Sequence, residues 1–265
     1  MVRLRVVAED GRTATQRATA LHEARAKPEA LEQLVAVLEP LREGVAMLEE
    51  PLEGQAKQAK VPDELWALLD RAYAALDRYL GHLLHAAEVD PTCGPRCSAC
   101  CTDLPPVLPI EALRMVRALR QRGDASVRLQ RSVGLARAFQ QVLVAQFGGE
   151  VSAAVDFTDP RYRAAQLIWR RLGHPCPVLG DDGNCTAYAS RPLSCRAHIH
   201  VEDPGHCEPS SPRFTEVERP PLWGHPREAE VEVLLAKLGK LLDLPAVPNL
   251  QWGLARLHDH PSGRG

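Results

Sequence analysis

The sequence predicts a mainly α-helical fold in which amphipathic helices pack around a loop-rich cysteine core. Three observations carry this. Apolar residues recur at spacings of three and four along most of the chain. The eight cysteines fall into two groups, at Cys93, Cys97, Cys100 and Cys101 and at Cys176, Cys185, Cys195 and Cys207. The stretch 174–225, rich in Pro, Gly, Asp, Cys and His, lacks periodicity and reads as ligand-bearing loop.

The elements follow in order. Residues 2–7 alternate Val2, Leu4 and Val6 with Arg3 and Arg5, the pattern of one short strand. Residues 8–27 are polar and alanine-rich and read as loose chain. From Pro28 the pattern is helical, with Leu31, Leu34, Val35, Leu38, Leu41, Val45, Leu48 and Leu52 on one stripe and Pro40 placed to kink or split it. A clearer helix opens at Pro62, a favourable first-turn residue, and carries Leu65, Leu68, Leu69, Ala72, Tyr73, Leu76, Tyr79, Leu80, Leu83 and Leu84. These two helices should form an antiparallel hairpin. Further helices are predicted from Pro109, over 125–147 with Gly148-Gly149 as terminator, over 161–172 ending at Gly173, and from Pro226 to about Leu244. The tail after Pro261 reads as disordered. The organisation expected is a strand or loose segment over 1–27, a helical hairpin extension over 28–89, a cysteine-cluster domain with inserted helices over 90–210, and a C-terminal helix and tail over 211–265.

Composition narrows the function. At 265 residues, with 45% hydrophobic and 25% charged residues, the chain can bury a sizeable core. Its 32 basic and 34 acidic residues leave a net charge of −2, so nothing general points to nucleic acid or an anionic membrane as partner. The N-terminal apolar run is too short and broken for a signal peptide, and no stretch approaches the ~18–20 apolar residues of a membrane helix. The expected location is the cytoplasm, where thiols stay reduced. There, grouped cysteines read as metal ligands rather than disulfides.

The first cysteine segment is Cys93-Gly-Pro-Arg-Cys97-Ser-Ala-Cys100-Cys101, with Gly94-Pro95 as a tight turn. Vicinal Cys100 and Cys101 should point apart and serve a metal differently. In the second segment Asp181-Asp182-Gly183-Asn184 is a turn signal that should fold Cys176 back beside Cys185. Tyr188 to Cys195 then reads as a helical turn broken near Pro192. Each segment looks like half of one site. The loop between them adds only slowly growing closure entropy, which metal–thiolate bonding can offset.

The combined pattern C-x3-C-x2-C-C, then C-P-x-L, then C-x2-Y-x2-R-P-x2-C-R resembles the YkgJ-type cysteine-cluster proteins, a zinc- or iron-chelating family. The residues that carry it are Cys93, Cys97, Cys100, Cys101, Cys176, Pro177, Leu179, Cys185, Tyr188, Arg191, Pro192, Cys195 and Arg196, within roughly 90–200. The resemblance implies chelation and leaves the metal open. A distant similarity to the cysteine cluster of flagellin lysine N-methylases transfers no substrate.

The site expected therefore has Cys93, Cys97, Cys100, Cys101, Cys176, Cys185 and Cys195 as metal ligands, holding an iron–sulfur cluster or zinc. Arg191 and Arg196 are expected to balance thiolate charge at the cofactor. Cys207 is either a ligand or a lone thiol. His198 and His200 read as surface residues, His174 is a weaker ligand candidate, and Tyr188 reads as packing. More thiols than one ion needs favour iron–sulfur slightly, with zinc close behind. Cys93-x3-Cys97-x2-Cys100 matches the radical S-adenosylmethionine spacing, but the strand–helix repeats of that fold are lacking. No catalytic residue stands out. Redox or group-transfer chemistry on a protein substrate is one use of such a centre. A zinc-stabilised helical interaction module without catalysis is the alternative.

Overall fold

The computed structural model describes residues 12–50, 60–91, 97–149, 159–198, 223 and 225–263. Among them the architecture is helical. The sole strand-like pairing is an isolated antiparallel bridge between Leu179 and Cys185. The strand expected over 2–7 lies outside the described residues. The helices are α1 (Ala14–Ala26), α2 (Pro28–Glu49), α3 (Asp63–Ala86), α4 (Pro109–Arg120), α5 (Ala125–Phe147), α6 (Pro160–Leu172), α7 (Leu193–Ala197), α8 (Ala229–Leu241) and α9 (Leu250–Leu257). They fall into two compact units.

The first unit contains α1, α2, α3 and α8. Helix α1 corrects the expectation of loose chain: Thr13 accepts from the Gln16 N–H at 3.2 Å and Gln16 accepts from the Thr13 N–H at 2.7 Å. This reciprocal cap satisfies two orphan donors and lets an alanine-rich segment start as helix. Helix α2 runs unbroken through Pro40, which lies buried. The ring removes one backbone hydrogen bond without ending the helix. Helices α2 and α3 are antiparallel. Lys27 before α2 reaches the Ala86 carbonyl at the end of α3, while a Cβ at Gly44, late in α2, would stand 2.7 Å from Leu65 Cδ1 near the start of α3. Leu238 of α8 also closes on Gly44, so glycine lets three helices meet. The stripe read on α3 is buried as expected from Leu65 to Leu83, and burial of each large apolar side chain contributes about 1.5–3 kcal/mol.

The second unit contains α4, α5, α6 and α9. Leu104, Phe139, Leu143, Tyr162, Ala165 and Trp169 form its buried cluster. The Phe139 ring meets Trp169 and Tyr162 edge-on, with centroids 5.4 and 6.0 Å apart. Helix α5 ends where Gly148 takes a left-handed conformation, φ 74°, as the Gly-Gly signal indicated. Helix α6 starts at Asp159, whose carboxylate accepts from the Arg161 N–H at 2.8 Å.

Helix α9 was not foreseen. Asn249 caps it by accepting from the Trp252 N–H at 3.1 Å. The helix is tied to the chain just after the first cysteine segment. Leu250 N–H donates to the Pro105 carbonyl at 3.1 Å, and Gln251 donates to the Asp103 carbonyl at 3.3 Å. The tail is also more ordered than expected. Pro261–Gly263 form a 3-10 turn with Ser262 buried, packed against α4. Among the described residues no helix is long and apolar enough to cross a membrane.

Candidate metal centre

The first cysteine segment enters the second unit as a 3-10 turn over Ala99–Thr102. Cys101 N–H donates to the Ser98 carbonyl at 2.9 Å and Asp103 N–H to the Cys100 carbonyl at 3.0 Å. The tight turn brings the vicinal thiols into hydrogen-bonding contact. This is closer than the sequence reading, in which vicinal thiols point apart, and the 3-10 turn is what differs. Asp103 closes the turn by accepting from the Leu104 N–H at 2.9 Å.

The second segment folds as its turn residues dictate. Gly183, at φ 79°, allows the reversal. Thr186 N–H donates to the Val178 carbonyl at 2.9 Å and Gly180 N–H to the Asn184 carbonyl at 2.8 Å. Asp182 fixes the tip by accepting from both the backbone and the side-chain amide of Asn184. After a 3-10 turn over Tyr188–Ser190, Pro192 breaks the chain and α7 begins. The Leu193 N–H donates to the buried Glu111 carboxylate at 2.7 Å, and Ser194 donates to the Pro106 carbonyl at 2.6 Å. These bonds hold the backbone beside Cys195.

The two segments are joined by one short backbone bond: the Cys176 N–H donates to the Cys101 carbonyl at 2.6 Å. Around it Cys176 and Cys195 each lie within electrostatic reach of the other and of Cys100 and Cys185. Cys195 feels Cys176, Cys100 and Cys185, and Cys176 feels Cys185 and Cys100. Cys97 acts on Cys100 from the edge of the group. The six described cysteines are free of disulfides. Cys93 and Cys207 lie outside the described residues, as does His200.

Such a group resists ionisation. Burial, followed by the neighbouring sulfurs, pushes the Cys195 thiol up, and burial pushes Cys176 up to about 12. Cys100 is raised first by its hydrogen bond with Cys101 and next by burial. A thiol raised in the folded state favours the fold while it is neutral. That stability is whole below the ordinary thiol range near ~8.5 and drains away as pH climbs towards 12. The metal-free protein should therefore lose stability to urea steeply between about pH 9 and pH 11. A flat profile across that window would contradict the burial of these thiols.

Two arginines act on the group. Arg191 lowers the Cys195 thiol and Arg131 lowers the Cys176 thiol, each against the larger effect of burial. The Arg191 guanidinium stands 3.6 Å over the Tyr188 ring. Tyr188 is itself 59% exposed, so its partner is Arg191 rather than the core packing expected of it. Arg196 pairs with Asp77 and faces the Tyr73 ring at 5.1 Å. The His174 ring packs against Trp169 with centroids 4.8 Å apart and the planes tilted by 40°. Sequence reasoning missed Glu111 and the arginines of α4 and α5. One signal was available: every basic residue from 95 to 195 is an arginine, none a lysine, as suits bidentate contacts to backbone and carboxylate oxygens.

The donor set has the chemistry of a thiophilic centre: sulfur from two segments, half-buried or buried, with positive charge close by. Among the described residues no three His, Cys, Asp or Glu side chains stand in a ready coordinating arrangement. Residues 92–217, which include all eight cysteines, match the family model CxxCxxCC, "Putative zinc- or iron-chelating domain". This bears out the resemblance read from the motif. Neither a curated protein nor a solved structure matches the chain.

Proposed function

With its cysteine segments matched to a zinc- or iron-chelating domain, we propose that this chain is a metal-binding protein whose centre is built in the second unit. Cys100, Cys176, Cys185 and Cys195 are the first-choice ligands. The observation that carries this reading is the Cys176–Cys101 backbone bond that joins the two segments, with Cys100 and Cys185 in electrostatic reach of both Cys176 and Cys195. Cys97 and Cys101 supply further thiolates, and Cys93, outside the described residues, is a further candidate on the sequence pattern alone. Four thiolates suit one tetrahedral zinc, whereas the additional ones favour an iron–sulfur cluster. A cluster would supply one-electron transfer, and zinc would supply a structural tie.

The chain's own residues prepare the centre. Glu111 fixes the backbone beside Cys195. The Val178 backbone favours the thiolate form of Cys176 against its burial. Arg191 and Arg131 offset the negative charge that gathered thiolates carry. Binding requires the sulfurs to release protons and draw in on the ion, so loading should weaken as pH falls. A reducing compartment such as the cytoplasm keeps these thiols available.

Oxygen-free purification followed by iron, zinc and sulfide analysis per chain tests the proposal. Broad absorption near ~400 nm with acid-labile sulfide identifies a cluster. A colourless protein holding one equivalent of zinc selects the structural reading. A protein that takes up neither metal, as isolated or on reconstitution, overturns both.

A further inference from the structure

The second cysteine segment is held by its carbonyl oxygens. Arg131 donates to the Pro175 carbonyl at 3.5 Å, Arg128 to those of Pro177 and Leu179 at 3.2 and 3.0 Å, Arg122 to that of Thr186 at 3.4 Å and Arg114 to that of Ala189 at 3.1 Å. Asp124 anchors two of these guanidinium groups, accepting from Arg122 at 3.0 Å and Arg128 at 2.7 Å. A loop of this length ordinarily exposes such carbonyls to water. Here the loop is fastened to α4, α5 and the turn between them.

A trans peptide unit points its C=O and the following N–H in opposite directions, and no cis peptide occurs among the described residues. A guanidinium on the oxygen therefore fixes what the N–H on the far side meets. The Pro177 carbonyl takes Arg128, and the backbone of Val178, whose N–H belongs to the same peptide, lowers the Cys176 thiol against its burial. The Pro175 carbonyl takes Arg131, and the N–H of that peptide, Cys176, donates to the Cys101 carbonyl. The Leu179 carbonyl takes Arg128 again, and its partner N–H, Gly180, closes the hairpin on Asn184. A cation on the oxygen also polarises the peptide and strengthens the N–H as a donor.

We infer that Arg128 is a positioning residue of the metal centre: by holding the Pro177 and Leu179 carbonyls from one Asp124-anchored guanidinium it fixes the backbone just after Cys176, and so presets the second cysteine segment for the ion. It touches neither sulfur nor metal in this role. The fork of a guanidinium is needed because one side chain serves two carbonyls and the Asp124 carboxylate together. This inference rests on the metal-binding reading above and adds to it a residue outside the cysteine pattern.

The test uses the full chain with zinc titrated against a chromophoric chelator, and cobalt(II) as spectroscopic probe. Arg128→Met should weaken zinc binding by about tenfold to a hundredfold, the usual range for losing an outer support of a ligand. It should also alter the thiolate-to-cobalt absorption and speed deuterium exchange over residues 176–186, while helix content stays that of the parent. Arg128→Lys should recover only part of the affinity. Asp124→Asn, which loosens the anchor without removing the guanidinium, should give a smaller loss and carries the test should Arg128→Met fold poorly. If these variants bind zinc within about twofold of the parent with an unchanged cobalt spectrum, while Cys176→Ala loses binding, the role of Arg128 is overturned and the metal reading stands. If the parent chain binds neither zinc, cobalt nor iron, the metal reading falls and this inference with it.

Discussion

Glu228→Ala should destabilise the first unit by about 3–5 kcal/mol, the cost of removing one partner from a buried ion pair. Glu228 is fully buried and serves three donors. Its Oε1 accepts from Arg25 Nε at 3.0 Å and from the Tyr79 hydroxyl at 2.6 Å, and its Oε2 accepts from the His225 N–H at 2.7 Å. The carboxylate thus ties α1, α3 and the start of α8. Tyr79 records the setting: burial, and then the adjacent carboxylate, hold its hydroxyl far above the ordinary phenol range. Alanine leaves a buried guanidinium without this carboxylate, together with a hydroxyl and an N–H that lose their acceptor. Tyr79→Phe removes the hydroxyl and its contacts to Glu228 and Arg25 but leaves the Arg25–Glu228 pair, and should cost about 1–2 kcal/mol. Urea unfolding followed by far-ultraviolet dichroism compares the two, and a loss below ~1 kcal/mol for Glu228→Ala would show that the network does not carry the load assigned to it.

What the sequence disclosed depended on how loudly each element spoke. Helices α2 to α6 and α8 bury wide apolar stripes or stand between clear Pro and Gly signals, and these were legible. Helix α1 buries little and has no stripe. Its signal was the Thr13-x-x-Gln16 capping box, visible in the sequence yet outweighed by the polar composition around it. Helix α9 is short and lies between proline-rich turns, so its signals, Asn249 as cap and Leu250, Leu254 and Leu257 at spacings of four and three, span too few turns to announce it. The hairpin carrying Cys176 and Cys185 was legible because Asp182, Gly183 and Asn184 fix a turn by local chemistry. What placed this hairpin was not. Glu111 and Arg128 act on backbone atoms 82 and about 50 residues away, and contacts to a main chain leave no pattern of side-chain types at the receiving end.

Glu111 supports the second large expectation. It sits in the first turn of α4, 4% exposed, and its two carboxylate oxygens do different things. Oε2 accepts from the Leu108 N–H at 2.9 Å, satisfying an orphan donor at the start of α4, and Oε1 accepts from the Leu193 N–H at 2.7 Å at the start of α7. Glu111→Ala strands both N–H groups. At about 1–3 kcal/mol for each buried donor left unpaired, the second unit should lose on the order of 2–5 kcal/mol. Glu111→Gln retains one acceptor oxygen and should cost roughly half as much. Leu193 lies two residues before Cys195, so the same substitution frees the backbone that carries one of the four first-choice ligands. Thermal melting and zinc titration should then fail together in Glu111→Ala, and in a graded way in Glu111→Gln. Melting lowered with zinc affinity untouched would confine Glu111 to capping α4 and detach it from the centre. A cysteine-only account of the site predicts that separated result. The bond from Glu111 to Leu193 predicts that stability and metal affinity move as one.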